Sequence, residues 1–176
     1  MGTKSMAATH ATLARNLPIT TSVIVSGMVK TSGSIAAVFA VNSEPRPLFL
    51  IVLFWWLFSW EIGGQNIPAD WTDIEEDRSL RATTIPVRLG LEPAKRIILG
   101  CLLAVVYLNV ALLTMVPGGA DLALIVFAIL VGGYLLLFPG FRLYRSEHRV
   151  DAVRLFNKAS YYPLALFVLV IIRLAS

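Results

Sequence analysis

The fold is decided by long apolar stretches, of which residues 97–116, IILGCLLAVVYLNVALLTMV, contain no charged side chain. A membrane hydrocarbon core of about 30 Å is crossed by roughly 20 helical residues, so this stretch predicts a transmembrane helix. The apolar residues are continuous and do not alternate with polar ones, which excludes a β-barrel. The sequence therefore predicts an all-α, polytopic membrane bundle of about five transmembrane helices. The expected spans are 17–41, 48–66, 97–116, 122–138 and 161–174.

The composition supports this class. Hydrophobic residues make up 57% of the 176 residues and charged residues only 15%, against about 45–50% and 25% in soluble domains. This excludes an ordinary soluble domain and a disordered chain. With a single cysteine, Cys101, no disulfide can form within the chain. In a membrane protein a net charge of +4 reflects first the basic loops that orient it in the bilayer, so no nucleic-acid partner is expected.

Basic residues fix the predicted topology. Twelve of the 15 lysines and arginines fall within residues 1–16, 67–96 and 141–160, which five spans place on one side. The positive-inside rule makes that side cytoplasmic and puts the C-terminus outside. We therefore expect an integral, multi-pass protein with a cytoplasmic segment at 1–16 and a membrane domain at 17–176. An acidic loop at 67–96 and a basic loop at 141–160 would face the cytoplasm, with membrane lipids around the spans.

Carboxylates are concentrated where the second span meets the cytoplasm. On a helix, Asp70, Asp73 and Asp77 share one face because their spacing is i, i+3 and i+7, and Asn66 would extend that face. Oxygen ligands without histidine or cysteine suit Mg²⁺, which one or two carboxylates plus substrate phosphates commonly hold. Arg78 follows directly and could bind phosphate oxygens. The alternative is a solvated acidic helix end that pairs with its own arginines.

One cation lies inside the first expected span. Lys30 costs about 2.5 kcal/mol or more at the centre of a bilayer, so such residues commonly line a functional cavity. It would there meet a diphosphate or an acceptor. The alternatives are that this span is short or displaced and Lys30 reaches an interface, or that Lys30 pairs with Glu61.

Two stretches resemble a known family. Residues 73–78, DIEEDR, and 82–90, ATTIPVRLG, resemble the second aspartate motif of the UbiA-type intramembrane prenyltransferases. In that family a DxxxD pair, an arginine and a T-[LI]-P-V-x-[LF]-G tail follow the sixth of nine helices. Residues 155–163, LFNKASYYP, are similar to the start of its last helix. The resemblance implies that the five spans correspond to helices five to nine, the C-terminal half of the fold.

The resemblance also implies a chemistry. The family transfers a polyprenyl group from an isoprenyl diphosphate, bound through Mg²⁺, to an aromatic or lipid acceptor in the membrane. Carried over by position, Asp73 and Asp77 would be catalytic metal ligands, and Arg78 a diphosphate contact. Asp70 is added as a metal ligand from the helical spacing, and Asn66 as a supporting residue. Lys30 and Arg15 would bind diphosphate, Arg15 being the nearest match to a lysine of the family. A bacterial or archaeal cell membrane is the expected location.

The sequence departs from the family in its first motif. The family's NDxxDxxxD motif is absent, since Glu44 is the only acidic residue before residue 60, and Arg81 stands where the tail commonly has glycine. We therefore expect an enzyme half that is inactive alone or needs an N-terminal half from elsewhere. A homo-oligomer with two copies of the single motif is the alternative assembly. The alternative function is a non-catalytic membrane module that binds lipid or assists assembly.

Overall fold

The structure, a computed structural model, describes residues 38, 44–115 and 120–175, and these ranges contain helices and no strand. The elements, in chain order, are α1 (Pro47–Trp60), a first π-helical segment (Glu61–Asn66), α2 (Ile67–Thr72), α3 (Ile74–Ser79), α4 (Ile85–Leu89), α5 (Leu91–Met115), α6 (Leu122–Gly132), a second π-helical segment (Gly133–Leu137), α7 (Phe138–Ser146) and α8 (Arg149–Ala175).

Three helices of the described ranges are long and apolar enough to cross a membrane, namely Pro47–Thr72, Leu91–Met115 and Leu122–Ser146. They confirm three of the expected spans, and each extends beyond the apolar stretch that predicted it. The expected span 17–41 lies outside the described residues, and the expected span 161–174 falls in α8, which is not among the three. The described residues thus contain only helices, three of which suit a membrane span, which indicates an integral membrane protein. The number five stays a prediction.

The first span is an α-helix interrupted by a π-helical segment, in which backbone hydrogen bonds join residues five apart in place of four. Between α1 and α2, the first π segment closes with the Ile67 amide donating to the Ile62 carbonyl, five residues back. Pro68 follows in α2, and its missing N–H leaves the Gly64 carbonyl without its ordinary helical donor. The Gln65 side-chain amide lies 3.2 Å from that carbonyl oxygen and donates to it. A proline is therefore accommodated without an unsatisfied backbone acceptor.

A second proline is accommodated by a tryptophan from another helix. Pro163 lies inside α8 and cannot donate to the carbonyl of Ala159, four residues earlier. Trp60 Nε1 lies 3.0 Å from that carbonyl oxygen and donates to it, which joins the end of α1 to α8. Trp60 ends the aromatic run of residues 54–60, and this hydrogen bond gives it a specific role beyond packing.

The core lies where α5 packs against α1 and where α8 packs against α2 and α7. Ile98, Leu102 and Val105 form one buried stripe of α5 at helical spacing. A β-carbon on Gly63 would lie 2.5 Å from Cβ of Cys101, so only glycine permits this approach of the first span to α5. Gly133, by contrast, has no atom within 4 Å of such a carbon, so packing does not require glycine there.

The corner between α7 and α8 is organised by a buried carboxylate. Asp151 is 5% exposed. It accepts hydrogen bonds from Ser146 Oγ at 2.6 Å and Arg154 Nη1 at 3.2 Å, and it forms an ion pair with Arg142 Nε at 2.8 Å. These partners, the Ser146 hydroxyl first, hold the pKa of Asp151 below its ordinary value. Two arginines of the basic loop are thereby fixed in place on one anion.

Candidate functional site

The segment expected as an acidic loop, 67–96, is largely helical, because it contains α2, α3, α4 and the first turns of α5. The helix breaks at Asp73, whose backbone leaves helical geometry at φ −112° and ψ 17°. The expectation that Asp70, Asp73 and Asp77 form one stripe of a single helix is therefore wrong. Asp70 lies on α2, Asp77 lies on α3, and Asp73 occupies the turn between them.

The three carboxylates still act on one another across the break. Asp70 is half-buried, and the negative charges of Asp77 and then Asp73 act on it electrostatically. Asp77 is held by the Thr84 hydroxyl, which donates to Oδ2 at 3.1 Å. The Thr72 hydroxyl lies 3.0 Å from Asp73 Oδ1 and 2.7 Å from the Ala69 carbonyl oxygen, two acceptors for its single proton. The break thus keeps the acidic groups together while it turns Asp73 toward solvent.

A cleft of about 470 Å³ opens beside Asp73. It is lined by residues of α2 and α3, by the start of α5 and by the corner before α8. The lining residues are Trp71, Thr72, Asp73, Ile74, Glu75, Glu76, Leu91, Glu147 and Arg149. Asp70 and Asp77 are not in this lining, and Arg149 is the only cation among the described residues that line the cleft. The cleft is therefore an acidic opening with one basic group opposite Asp73.

Arg149 is the residue that sequence reasoning missed. Its Nη2 lies 3.7 Å from Asp73 Oδ1, and both side chains are more than half exposed. In the sequence, Arg149 was one of the many basic residues that orient the loops, and nothing in that pattern predicted its place opposite Asp73. The signal that existed was the excess of cations in 141–160 facing an excess of acids in 61–77.

The position of Arg149 depends on a corner that two elements hold. Glu147 adopts a left-handed conformation at φ 56° and accepts a hydrogen bond from Lys95 near the start of α5. Lys95 is buried, and it also pairs with Glu92 at 2.7 Å. Because the corner is tied to α5, the N-terminus of α8 and its Arg149 are set at the edge of the cleft.

The donor chemistry fits Mg²⁺, and the geometry limits how the ion would be held. Among the residues that the structure describes, no three histidine, cysteine, aspartate or glutamate side chains converge as metal ligands. A hard cation bound by one or two carboxylates and completed by phosphate and water needs no such cluster. Asp73 and Asp77 therefore fit that mode, whereas a site closed by Asp70, Asp73 and Asp77 alone is not preformed.

The other expected site residues divide into two groups. Asn66 is half-buried at the end of the first π segment, and Arg78 is exposed on α3. Within the described ranges Arg78 forms no ion pair, so its charge is accessible to an anion. Lys30 and Arg15 lie outside the described residues.

The sequence matches one known family over most of its length. Residues 17–170 match the family model described as the UbiA prenyltransferase family. No curated protein and no solved structure matches the chain.

Proposed function

Because the chain belongs to the UbiA prenyltransferase family, we propose that it takes part in Mg²⁺-dependent prenyl transfer within the membrane. The donor is an isoprenyl diphosphate, and the acceptor is an aromatic or lipid molecule. The observation that carries the proposal is the cleft in which Asp73 lies opposite Arg149. Carboxylates for a hard cation and a guanidinium for phosphate oxygens then meet at one membrane edge.

In this proposal the aspartates hold the ion and the arginines hold the leaving group. Asp73 and Asp77 would be the Mg²⁺ ligands, with Asp70 behind them and Asn66 in support. When bound, Mg²⁺ would neutralise charge on the departing diphosphate. Thr84, which donates to Asp77, leaves the other carboxylate oxygen for the ion.

Arg149 has a role of its own in the proposal. In the structure it lies against Asp73, and a guanidinium more than half exposed can leave this weak pairing at small cost. A diphosphate in the cleft offers it a bidentate partner with more charge. Arg149 and Arg78 would then bind the diphosphate from α8 and α3, and Lys30 and Arg15 stay predicted contacts.

The sequence contains one of the family's two aspartate motifs, so the proposed unit is a C-terminal half. The second motif would come from an N-terminal half, or a second copy of the chain would present its own motif. A non-catalytic membrane module that binds lipid or assists assembly is the second candidate. It is favoured by the missing first motif.

Binding of a non-hydrolysable geranylgeranyl diphosphate analogue to the purified chain in detergent tests the proposal. We expect binding that requires Mg²⁺, is abolished by EDTA and is lost in Asp73→Asn/Asp77→Asn. The matched control is Glu75→Gln/Glu76→Gln, which removes the same charge from the same segment and should still bind. Arg149→Gln should weaken binding about 10- to 100-fold, as expected for loss of one hydrogen bond to a charged group, which is worth about 1.5–3 kcal/mol.

The controls separate the two candidate functions. If the aspartate and glutamate double substitutions weaken binding equally, the loss of binding reflects the overall negative charge of the segment and not metal ligation. No binding by the wild type, with or without Mg²⁺, would favour the non-catalytic module.

A further inference from the structure

An apolar groove of about 730 Å³ lies between α6 and α8. None of the residues that line it also lines the Asp73 cleft. Its walls are two stripes at helical spacing, Leu124, Phe127 and Val131 from α6 and Tyr161, Ala165 and Val168 from α8. Phe127 and Tyr161 are 51% and 63% exposed. The volume is within the range of ligand pockets, and the lining offers mainly hydrocarbon and aromatic contact.

A cation lies at one end of this groove. Lys158 precedes Tyr161 by about one helical turn, and its Nζ lies 3.9 Å from the ring centroid of Tyr134 and 5.8 Å from that of Phe138. Lys158 is half-buried, and no carboxylate of the described ranges lies within ion-pairing distance of it. Arg154, one turn earlier, is by contrast bound to Asp151. The charge of Lys158 thus lies one helical turn before the groove, without a counter-ion among the described residues.

The two ends of the groove carry opposite charge. Asp121 lines the far end, where its side chain caps α6 by accepting from the Leu124 amide at 2.7 Å. An anionic head group is therefore favoured at the Lys158 end and disfavoured at the other. From Lys158 to Leu169 the helix rises about 16 Å, which is about half of a 30 Å hydrocarbon core.

We propose that this groove binds one anionic phospholipid, with its phosphate at Lys158 and an acyl chain between α6 and α8. Lys158 comes shortly before the predicted last span, at the level where lipid head groups meet the hydrocarbon core. Juxtamembrane cations attract anionic lipids, and the exposed Tyr134 and Phe138 rings are typical of the membrane interface. The site does not depend on prenyl transfer, so either proposal can fail without the other.

Lipid retention by the purified full chain tests the proposal. The wild type is equilibrated in mild detergent with equal amounts of phosphatidylglycerol and phosphatidylcholine, and native mass spectrometry counts the bound lipids. We expect phosphatidylglycerol to be preferred. Lys158→Gln should lower its retention about fivefold, the change for one lost juxtamembrane cation, and Lys158→Arg should restore it.

Two further variants locate the lipid. Arg145→Gln is the matched control, because Arg145 also lies over an aromatic ring, that of Phe141 at 4.6 Å, but away from the groove. It should leave the preference unchanged. Ala165→Phe fills the groove without altering charge and should lower retention of both lipids.

Several results would overturn the proposal. Equal retention of the two lipids by the wild type would exclude head-group recognition, and equal losses in Lys158→Gln and Arg145→Gln would exclude a local site. Undiminished binding in Ala165→Phe would exclude the acyl groove. Competition by soluble glycerol phosphate as strong as by the lipid would indicate an anion site alone. No retained lipid would mean that another protein segment or a second copy covers the groove.

Discussion

The hydrogen bond from Trp60 to the Ala159 carbonyl makes a prediction that a double-mutant cycle can isolate. Ala159 is fully buried, and Pro163 has removed the helical donor for its carbonyl. Trp60→Phe would leave that acceptor unsatisfied, which costs about 1–3 kcal/mol, in addition to the lost packing of the larger ring. Pro163→Ala restores an N–H at the position that ordinarily bonds Ala159.

In the Pro163→Ala background, Trp60→Phe should therefore cost only the packing part. We expect a coupling free energy of about 1–2 kcal/mol between the two substitutions, and the packing loss cancels in the cycle. The free energy of unfolding is measured by SDS titration from mixed micelles, followed by circular dichroism. Trp55→Phe is the matched control, because Trp55 is 52% exposed and should not couple to Pro163→Ala.

The reasoning would be refuted by equal costs of Trp60→Phe in the two backgrounds. The tryptophan would then contribute through packing alone, and the freed carbonyl of α8 would need another donor.

Two further predictions concern packing and pH. Gly63→Ala should destabilise by about 1–3 kcal/mol in the same titration, since its Cβ would lie 2.5 Å from that of Cys101. Gly133→Ala, with no atom within 4 Å, should be neutral or slightly stabilising, and equal costs would contradict the close approach. Asp151 has a lowered pKa in the folded protein, so the folded state binds fewer protons than the unfolded state. Its stabilisation is complete above the unfolded value of about 3.9 and is lost as the pH falls through the folded pKa. Melting temperatures of wild type and Asp151→Asn should thus differ at pH 7, and the difference should shrink as the pH falls below the unfolded value and through the folded pKa, whereas a constant difference would exclude this linkage.

Much of the fold was predictable because hydropathy reports directly on burial in lipid. The apolar stretch 97–116 identified α5, and 122–138 identified α6 with the second π segment. The ends were less predictable, since helices such as Pro47–Thr72 continue past the apolar residues into polar sequence. Hydropathy contains no information on where a helix stops once it leaves the hydrocarbon core.

The site was predictable in its residue types and less so in its geometry. The acidic residues and Arg78 followed from local sequence, but the break at Asp73 did not, because no proline or glycine stands at that position. Arg149 and Trp60 act through contacts between segments far apart in sequence. A single sequence without its tertiary structure does not contain those pairings.

The first π segment has a consequence for how the acidic end is aimed. A π-helical turn accommodates one more residue than an α-helical turn, so everything after Asn66 is rotated by about 100° relative to an uninterrupted α-helix. A single helical wheel drawn through the whole first span therefore assigns Asp70 to the wrong azimuth. The side chains of α1, before the π segment, and those of α2, after it, must therefore be placed on two separate helical wheels. A change in the length of residues 61–66 would swing the entire acidic end around the helix axis without altering any residue within it.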